Sequence, residues 1–263
     1  MITSTQNPRI KHLLLLQQKS AQRRADGLFV VEGRREVEHC LEAGFKLRTA
    51  FVCEEISPPP PLPADVELVP IGHNVYERIA YRGGTEGIVA VVEARHLGLR
   101  DLQLSASPLI VVLESVEKPG NLGAVLRSAD AAGADAVVVC DPLTDLYNPN
   151  LIRSAVGAIF TVPCVACSTE ECIAFFKEKG IRILTAQLQD SLLYYDTPMT
   201  GPTAIVMGTE ATGLTEQWRL TADAHIRIPM LGRLDSLNVS VSAAILLFEA
   251  VRQRQEESGK SRN

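Results

Sequence analysis

Three polar stretches carry the side chains with which this chain could do chemistry, and each of them follows an apolar run. The first is "ESVEKPGNLGAVLRSADAAG", in which Asn121 follows a glycine and Arg127 stands farther along a predicted helix. A guanidinium at such a place suits a phosphate or another anion, because it offers several donors in a planar fork. The competing interpretation is an arginine that pairs with an acidic neighbour or lies along the surface. The spacing does not choose between the two.

The other two stretches bring glycines, a carboxylate and an amide close to helix starts. "MGTEATGL" places Glu210 between Gly208 and Gly213, and "IPMLGRLDSLN" ends on Ser236 and Asn238, directly before a long apolar helix. Glycine lets a backbone approach a ligand closely, and Ser or Asn either caps a helix or holds a ligand. A tight turn with a capping Glu210 explains the second stretch equally well. Because all three stretches follow apolar strands, together they indicate a single pocket.

The sequence lacks the common signatures of covalent and metal-dependent catalysis. It contains no H-E-x-x-H, no G-x-S-x-G, no Walker loop and no Cys and His at a recognisable spacing. "PGNLGAVLR" also differs from the G-x-G-x-x-G of dinucleotide-binding folds. We therefore expect direct group transfer or ligand binding, with no covalent intermediate and no metal.

The apolar runs indicate which elements must position these side chains. From about residue 106 to 256, strands alternate with helices, a pattern typical of an α/β domain with a doubly wound parallel sheet. In such sheets ligands bind at the carboxyl ends of the strands, where all three stretches lie. Within this segment we predict one helix over "NPNLIRSAVGAIF" and a closing helix after Asn238. The polar stretch "RHLGLRDLQLSAS" is predicted to be a linker before it.

Residues 1–95 form a smaller segment in which helices and strands are mixed. "NPRIKHLLLLQQKSAQRR" is predicted to be helical, "LFVVEG" and "GIVAVVEA" are predicted strands, and "SPPPPLP" is predicted to be a surface loop. The whole chain is acidic, with a net charge of −5, but Met1–Arg48 holds nine Lys and Arg against five Asp and Glu. A basic end of this kind is typical of a surface that contacts phosphates, although a solvated helix face has the same composition. The candidate phosphate contacts are Arg9, Lys11, Arg23, Arg24, Arg34 and Arg35.

Composition argues against a membrane-spanning chain and against a disulfide framework. The apolar runs are far shorter than the ~20 residues of a transmembrane helix, and the first residues do not resemble a secretory signal. We therefore expect a cytoplasmic protein with reduced cysteines. Cys164 and Cys167 form an isolated C-x-x-C with Cys172 nearby, and without a second pair or histidines this spacing favours structural thiols over a zinc site.

Taken in order, "NLGAVLR", "MGTEATGL" and "IPMLGRLDSLNVSVSAAI" resemble the three motifs of the SpoU/TrmH family of RNA ribose 2′-O-methyltransferases. The resemblance covers the whole second segment. The first segment is similar to the small, ribosomal-protein-like substrate-binding domain that many members carry. "EKPGN" departs from the family, in which an Asp-Pro pair is more usual, but the change affects a loop and leaves the motif side chains intact.

The resemblance implies transfer of a methyl group from S-adenosylmethionine to a ribose 2′-hydroxyl in structured RNA, with ribosomal RNA favoured over transfer RNA. It implies a substrate-binding domain over 1–95, a methyltransferase domain over 106–256, a C-terminal trefoil knot and a homodimer. The strand pattern by itself predicts an open sheet, since threaded chains are rare. By motif match the catalytic residues are Arg127, Asn121, Glu210, Ser236 and Asn238, and the cofactor-binding residues are Gly208, Ile228, Leu237, Met230 and Ala186.

Family proposals give the motif arginine, here Arg127, a role in activating the 2′-hydroxyl. A guanidinium keeps its proton at neutral pH, so we expect it to grip the adjacent phosphate and stabilise the developing alkoxide. Two other functions stay open at this point. One is an RNA-binding protein that keeps the fold without turnover, which the intact motif side chains disfavour. The other is a methyltransferase for a small molecule or a protein, which the basic first segment disfavours.

Overall fold

The chain divides into two structural units that are not contiguous in sequence. The computed structural model describes residues 1–81, 86–209 and 212–259. The first unit comprises Met1–Arg95 and Asp145–Thr161, and the second comprises His96–Thr144 and Val162–Asn263. Residues 145–161, which lie in the second segment of the sequence pattern, thus cluster with the first unit.

Short strands alternate with helices in the N-terminal part of the chain. The strands form a mixed sheet in the order β1-β4-β2-β3, in which β2 and β3 are parallel and the other neighbours are antiparallel. Buried side chains of this sheet pack with α1 and α4 into one apolar core. In chain order these elements are α1 (Pro8–Gln18), α2 (Ser20–Asp26), β1 (Leu28–Glu32), α3 (Arg34–Glu42), β2 (Leu47–Val52), β3 (Glu67–Pro70), α4 (His73–Ile79) and β4 (Ile88–Glu93).

The helical prediction for "NPRIKHLLLLQQKSAQRR" is confirmed, but the stretch forms two helices. Asn7 caps α1 by accepting a hydrogen bond from the amide of Arg9, and Pro8 occupies the first turn, where its missing N–H costs nothing. Lys19 then adopts an extended conformation, with φ −120° and ψ 110°, so that α1 ends and α2 begins. Periodicity missed this break because neither glycine nor proline marks it in the sequence.

The C-terminal elements build one parallel sheet in the order β7-β6-β5-β10-β8-β11-β9, which confirms the α/β prediction. Helix α10 packs on α5. Among the described residues, every helix is too short or too polar to cross a bilayer. The elements are β5 (Leu109–Glu114), α5 (Pro119–Ala131), β6 (Ala136–Cys140), α6 (Pro149–Ala155), α7 (Ala158–Thr161), β7 (Cys164–Cys167), α8 (Thr169–Lys179), β8 (Arg182–Ala186), β9 (Leu192–Leu193), β10 (Thr203–Met207), α9 (Glu216–Thr221), β11 (Ala224–Arg227) and α10 (Val239–Glu257).

The predicted helix over "NPNLIRSAVGAIF" is also two helices. Asn148 caps α6, which ends at Val156 in the left-handed region at φ 52°. Gly157 follows at φ 86°, and a Cβ added there would lie 2.4 Å from Nδ1 of His39. A residue with a side chain would be both strained and obstructed at this position, so glycine fixes the break between α6 and α7.

Residues 145–161 pack with the first unit through aromatic and ionic contacts. The ring of Tyr147 stacks on Phe29 with centroids 4.2 Å apart. Arg23 Nε donates to Asp145 Oδ2 at 2.6 Å, and both side chains are largely buried. These contacts explain why the crossover between β6 and β7 belongs to a different unit from the strands that it connects.

Candidate active site

Two of the three motif stretches meet because β5 and β10 are neighbours. The strands are parallel, and Leu113 pairs with Met207 at their carboxyl ends. The loop after β5 and the loop after β10 therefore emerge side by side. Together with the first residue of α10 they line a pocket of about 260 Å³. Its lining includes Ser115, Glu117, Lys118, Asn121, Gly208, Thr209, Thr212 and Val239.

Gly208 is required by the tightness of its loop. A Cβ added to it would lie 2.2 Å from the carbonyl carbon and oxygen of Gly213 and 2.6 Å from the amide nitrogen of Leu214. These atoms belong to the backbone and cannot move aside cheaply. Thr209 and Gly213 form an isolated antiparallel bridge, which closes the loop.

Asn238 joins the third motif stretch to the first. Its Oδ1 accepts from the amide of Ser240 at 3.0 Å and from the Ser240 hydroxyl at 2.6 Å, so it caps α10. Its Nδ2 donates to Asn121 Oδ1 at 3.1 Å. The predicted helix cap is thus also a link between two loops that lie far apart in the sequence.

The backbone N–H and C=O groups of the loop between β11 and α10 are available to a ligand. Within the part of the chain that the structure describes, no backbone group of residues 229–237 takes part in a hydrogen bond. Ile228, Met230 and Leu237 are half-buried there. Ala186 ends β8 beside this loop, because its strand partner is Ile226. A ligand held largely by peptide groups fits such a segment, since these donors and acceptors need partners.

The other predicted catalytic side chains are not tied into this network. Arg127 is exposed on α5 and makes no hydrogen bond or ion pair with the described residues. Ser236 is exposed as well, and its hydroxyl has no partner among them. Glu210 lies outside the described residues. Arg127 and Ser236 are therefore free to reach a bound molecule.

Sequence reasoning missed Glu114, which anchors Thr215, the residue directly after the second motif stretch. It ends β5 and is 2% exposed. Its carboxylate accepts from the amide of Thr215 at 2.8 Å and from the Thr215 hydroxyl at 2.7 Å. The Thr169 hydroxyl oxygen lies 3.4 Å from it. The available signal was an acidic residue at the end of the apolar run "LIVVLE", because a buried carboxylate needs donors.

The basic residues proposed as phosphate contacts differ in their surroundings. Arg23 is 5% exposed, and besides Asp145 its guanidinium donates to the carbonyl of Leu16, so it is used inside the unit. Arg34 is half-buried and donates to the carbonyl of Pro58. By contrast, four of the side chains are exposed, namely Lys11, Arg24, Arg35 and Arg9, the last of which pairs with Glu67.

In the sequence, the C-x-x-C spacing gave no indication that Cys140 belongs to the same cysteine cluster. Cys140, at the end of β6, lies beside Cys167, and Cys172 completes the group from α8. Hydrogen bonds from the Cys140 and Cys172 thiols lower the pKa of Cys167 below its usual value. Cys164 lies outside this cluster, although it stands on the same strand as Cys167.

Comparison with known proteins matches both parts of the chain to families. Residues 108–248 match the SpoU rRNA methylase family, and residues 7–90 match the MRM3-like substrate binding domain. The 23S rRNA (guanosine-2′-O-)-methyltransferase RlmB of Vibrio vulnificus is 41% identical over 72% of this chain and 79% of that protein. The 23S rRNA (guanosine(2553)-2′-O)-methyltransferase RlmP of Bacillus subtilis is 28% identical over 94% of this chain and 97% of that protein.

Solved structures show the same likeness over nearly the whole length. A crystal structure of an RNA 2′-O ribose methyltransferase has a TM-score of 0.82 and 39% identity, over 96% of this chain and 98% of that one. The AdoMet-bound rRNA methyltransferase of Sinorhizobium meliloti has a TM-score of 0.87 and 30% identity, over 95% and 97%. With the family model spanning more than half of its residues, this chain belongs to the SpoU rRNA methylase family.

Proposed function

We propose that this protein transfers a methyl group from S-adenosylmethionine to a ribose 2′-hydroxyl of ribosomal RNA. The observation that carries the proposal is the meeting of the motif stretches, in which Asn121 of the first contacts Asn238 of the third beside Gly208 of the second. The relatives are named as methyltransferases of guanosine in 23S rRNA, which supports a guanosine of the large-subunit RNA as the substrate.

The loops fit S-adenosylmethionine as the methyl donor. Backbone groups of residues 229–237 lack partners within the described structure, and Gly208 keeps the neighbouring loop free of a side chain. When bound, the donor supplies an electrophilic methyl group, because its sulfonium leaves as a neutral thioether. Gly208, Ile228, Leu237, Met230 and Ala186 would surround it.

Arg127 is proposed to act on the RNA. Its guanidinium has no partner among the described residues and offers a planar fork of donors. It can hold the phosphate next to the target ribose and stabilise negative charge as the 2′-oxygen attacks. Ser236 and Glu210 are proposed to orient the ribose or Arg127. Asn121 and Asn238 hold the two loops in register by their hydrogen bond.

Residues 1–95 are proposed to bind the RNA, and residues 106–256 to carry the reaction. The match of 7–90 to a substrate-binding domain supports the first part. Exposed basic side chains such as Lys11, Arg24 and Arg35 suit phosphate contacts, whereas the buried position of Arg23 suits a structural role. Binding through phosphates should weaken steeply as salt is added, because counterions are released.

A C-terminal trefoil knot and a homodimer are part of the same proposal. The strand order supports the knot, because β10 lies between β5 and β8 although it follows both in the chain. Exposed apolar side chains support a dimer through α10, where Val241 is 47% and Phe248 is 48% exposed on one face. Mechanical unfolding, in which the chain is pulled from both ends, tests the knot. A tightened knot would make the contour length of the unfolded chain shorter than that of an unknotted chain. Sedimentation tests the dimer, and a monomer at micromolar concentration would contradict it.

Substitution of Arg127 tests the mechanism. We expect Arg127→Ala to lower the rate of methyl transfer by at least about 100-fold, the scale of losing a charge-stabilising donor. Arg127→Lys should retain little of the wild-type rate, because an ammonium group lacks the planar fork of donors. The measurement is transfer of labelled methyl groups to 23S rRNA from a strain that lacks the gene, with calorimetry of the donor as a check on binding.

The control is Arg100→Ala, which removes an 84% exposed arginine of the same unit. Wild-type turnover in Arg127→Ala would remove Arg127 from the mechanism. RNA binding by the wild-type protein without methyl incorporation would favour the non-catalytic alternative. Label found in protein or in small molecules instead of RNA would overturn the substrate.

A further inference from the structure

Three of the cysteines converge at the carboxyl ends of β6 and β7. Cys140 is the last residue of β6 and Cys167 is the last residue of β7, and the strand register pairs the two directly. Cys172 comes from α8, which packs over this part of the sheet. The three sulfur atoms all lie within 4.8 Å of one another.

This spacing is close to that of a metal–thiolate centre. Thiolate sulfurs bind Zn²⁺ at about 2.3 Å, so two sulfurs on one tetrahedral ion stand about 3.8 Å apart. The cluster therefore needs to contract by no more than about 1 Å, which side-chain rotation can supply. Three donors from three separate elements also give one ion a way to tie β6, β7 and α8 together.

The surroundings of the cluster suit negative charge and leave a route to solvent. Cys172 lies near the start of α8, whose N-terminal end carries a partial positive charge that favours a thiolate. Cys140 and Cys172 are fully buried, whereas Cys167 is partly exposed. An ion can therefore enter on the side of Cys167 and be shielded from water on the other.

Asp141, the carboxylate next to Cys140 in the chain, is already used by the fold. Asp141 Oδ2 accepts from the Thr169 hydroxyl at 2.7 Å and from the Thr169 amide at 3.3 Å, so it is held away from a role as a ligand. A three-sulfur set with at most a water as a fourth ligand selects soft, closed-shell ions over Mg²⁺ or Ca²⁺, which prefer oxygen.

We propose that Cys140, Cys167 and Cys172 bind one thiophilic metal ion of the Zn²⁺ or Cu⁺ class through three sulfur ligands. The site is separate from the pocket formed by the motif stretches, whose lining includes none of these cysteines. Its effect is structural, because a bound ion cross-links the edge of the parallel sheet to α8. Binding to the folded state alone stabilises that state by mass action.

Titration with Cd²⁺ tests the proposal on the full-length protein, reduced and freed of metal. Cadmium thiolates absorb in the ultraviolet with an intensity that grows with the number of sulfur ligands. We expect saturation at one ion per chain with the intensity of three thiolates. Zn²⁺ and Cu⁺, added separately, should compete for the site and raise the melting temperature.

Two serine variants make the result specific. Cys167→Ser should weaken Cd²⁺ binding by more than about 10-fold. Loss of a residue that only hydrogen-bonds to a metal ligand already costs this much affinity, and Cys167 is proposed to be a ligand itself. Cys164→Ser removes the other cysteine of the same strand and should bind like wild type. Circular dichroism shows whether each variant is folded. Cys167 is a suitable position for the serine substitution, because it is partly exposed.

Two outcomes overturn the site. One is a wild-type protein that shows no cadmium–thiolate band, which needs no variant to interpret. The other is a band that survives in Cys167→Ser or disappears in Cys164→Ser, because the ion would then bind elsewhere. Neither readout depends on methyl transfer, so failure of the proposed function leaves this test intact.

Discussion

At the scale of single residues, the candidate site depends on how closely its loops approach one another. Gly208 occupies a position where a side chain would meet backbone atoms of Gly213 and Leu214. Asn238 satisfies the amide of Ser240 at the start of α10 and holds Asn121 with its other side-chain group. The residue types in these motifs therefore have structural reasons beyond any contact with substrate.

We predict that Gly208→Ala abolishes donor binding and lowers the free energy of unfolding by about 1–3 kcal/mol, the usual cost of overpacking. The added methyl group would lie 2.2 Å from Gly213, so the loop must open. Calorimetry with S-adenosylmethionine and urea denaturation measure the two effects. Gly201→Ala is the control, because nothing lies within 4 Å of a Cβ at that glycine. Unchanged donor affinity in Gly208→Ala would contradict the predicted close approach.

At the scale of elements, buried polar side chains anchor the loops to the strands. Glu114 at the end of β5 accepts from both the amide and the hydroxyl of Thr215 just before α9. At the other end of the domain, Arg254 of α10 donates to the carbonyls of Met199, Ser107 and Gly201. Both side chains thereby satisfy backbone groups that would otherwise lack partners: one amide in the case of Glu114, and three carbonyls in the case of Arg254.

We predict that Glu114→Gln lowers the free energy of unfolding by about 1–3 kcal/mol, because an amide nitrogen would face donors of Thr215. The carboxylate accepts from both the amide and the hydroxyl of that residue, and a glutamine oxygen cannot replace both of its oxygens. Urea denaturation gives the measurement. Glu117→Gln, at an exposed position in the same loop, should change stability by less than about 0.5 kcal/mol. Equal effects of the two substitutions would argue against the anchoring role.

At the scale of the whole molecule, the chain leaves the parallel sheet after β6, contributes α6 and α7 to the first unit, and returns as β7. The ion pair between Arg23 and Asp145 secures this excursion within the first unit. A count of charges in the sequence treats Arg23 like its exposed neighbour Arg24, but only Arg24 is free to meet a phosphate.

We predict that Arg23→Met lowers the free energy of unfolding by about 3–5 kcal/mol, since it leaves Asp145 buried without its partner. Arg24→Met should leave stability within about 0.5 kcal/mol of wild type and weaken RNA binding in a salt-dependent way. Thermal denaturation and RNA titration at two salt concentrations separate the effects. If Arg23→Met is as stable as wild type but binds RNA less well, Arg23 is a phosphate contact after all.

Much of the fold could be predicted from local patterns. Apolar runs and caps placed most strands and helices of the second unit, including α10 behind Asn238. Local patterns failed where a conformation has no local signal. Lys19 ends α1 without a glycine or proline, and the left-handed Val156 ends α6 inside an apolar run. At Gly157, the positive φ and the side chain of His39, distant in sequence, both favour glycine.

The sequence by itself determined the element types, the motif stretches and the family, because each depends on residues that are neighbours in the chain. Only the tertiary structure decided which of those residues meet. It joined Asn121 to Asn238, brought Cys140 beside Cys167 and turned Arg23 inward to Asp145. The physical reason is that strand order and packing are cooperative properties of the whole core, and no short segment contains the contacts that fix them.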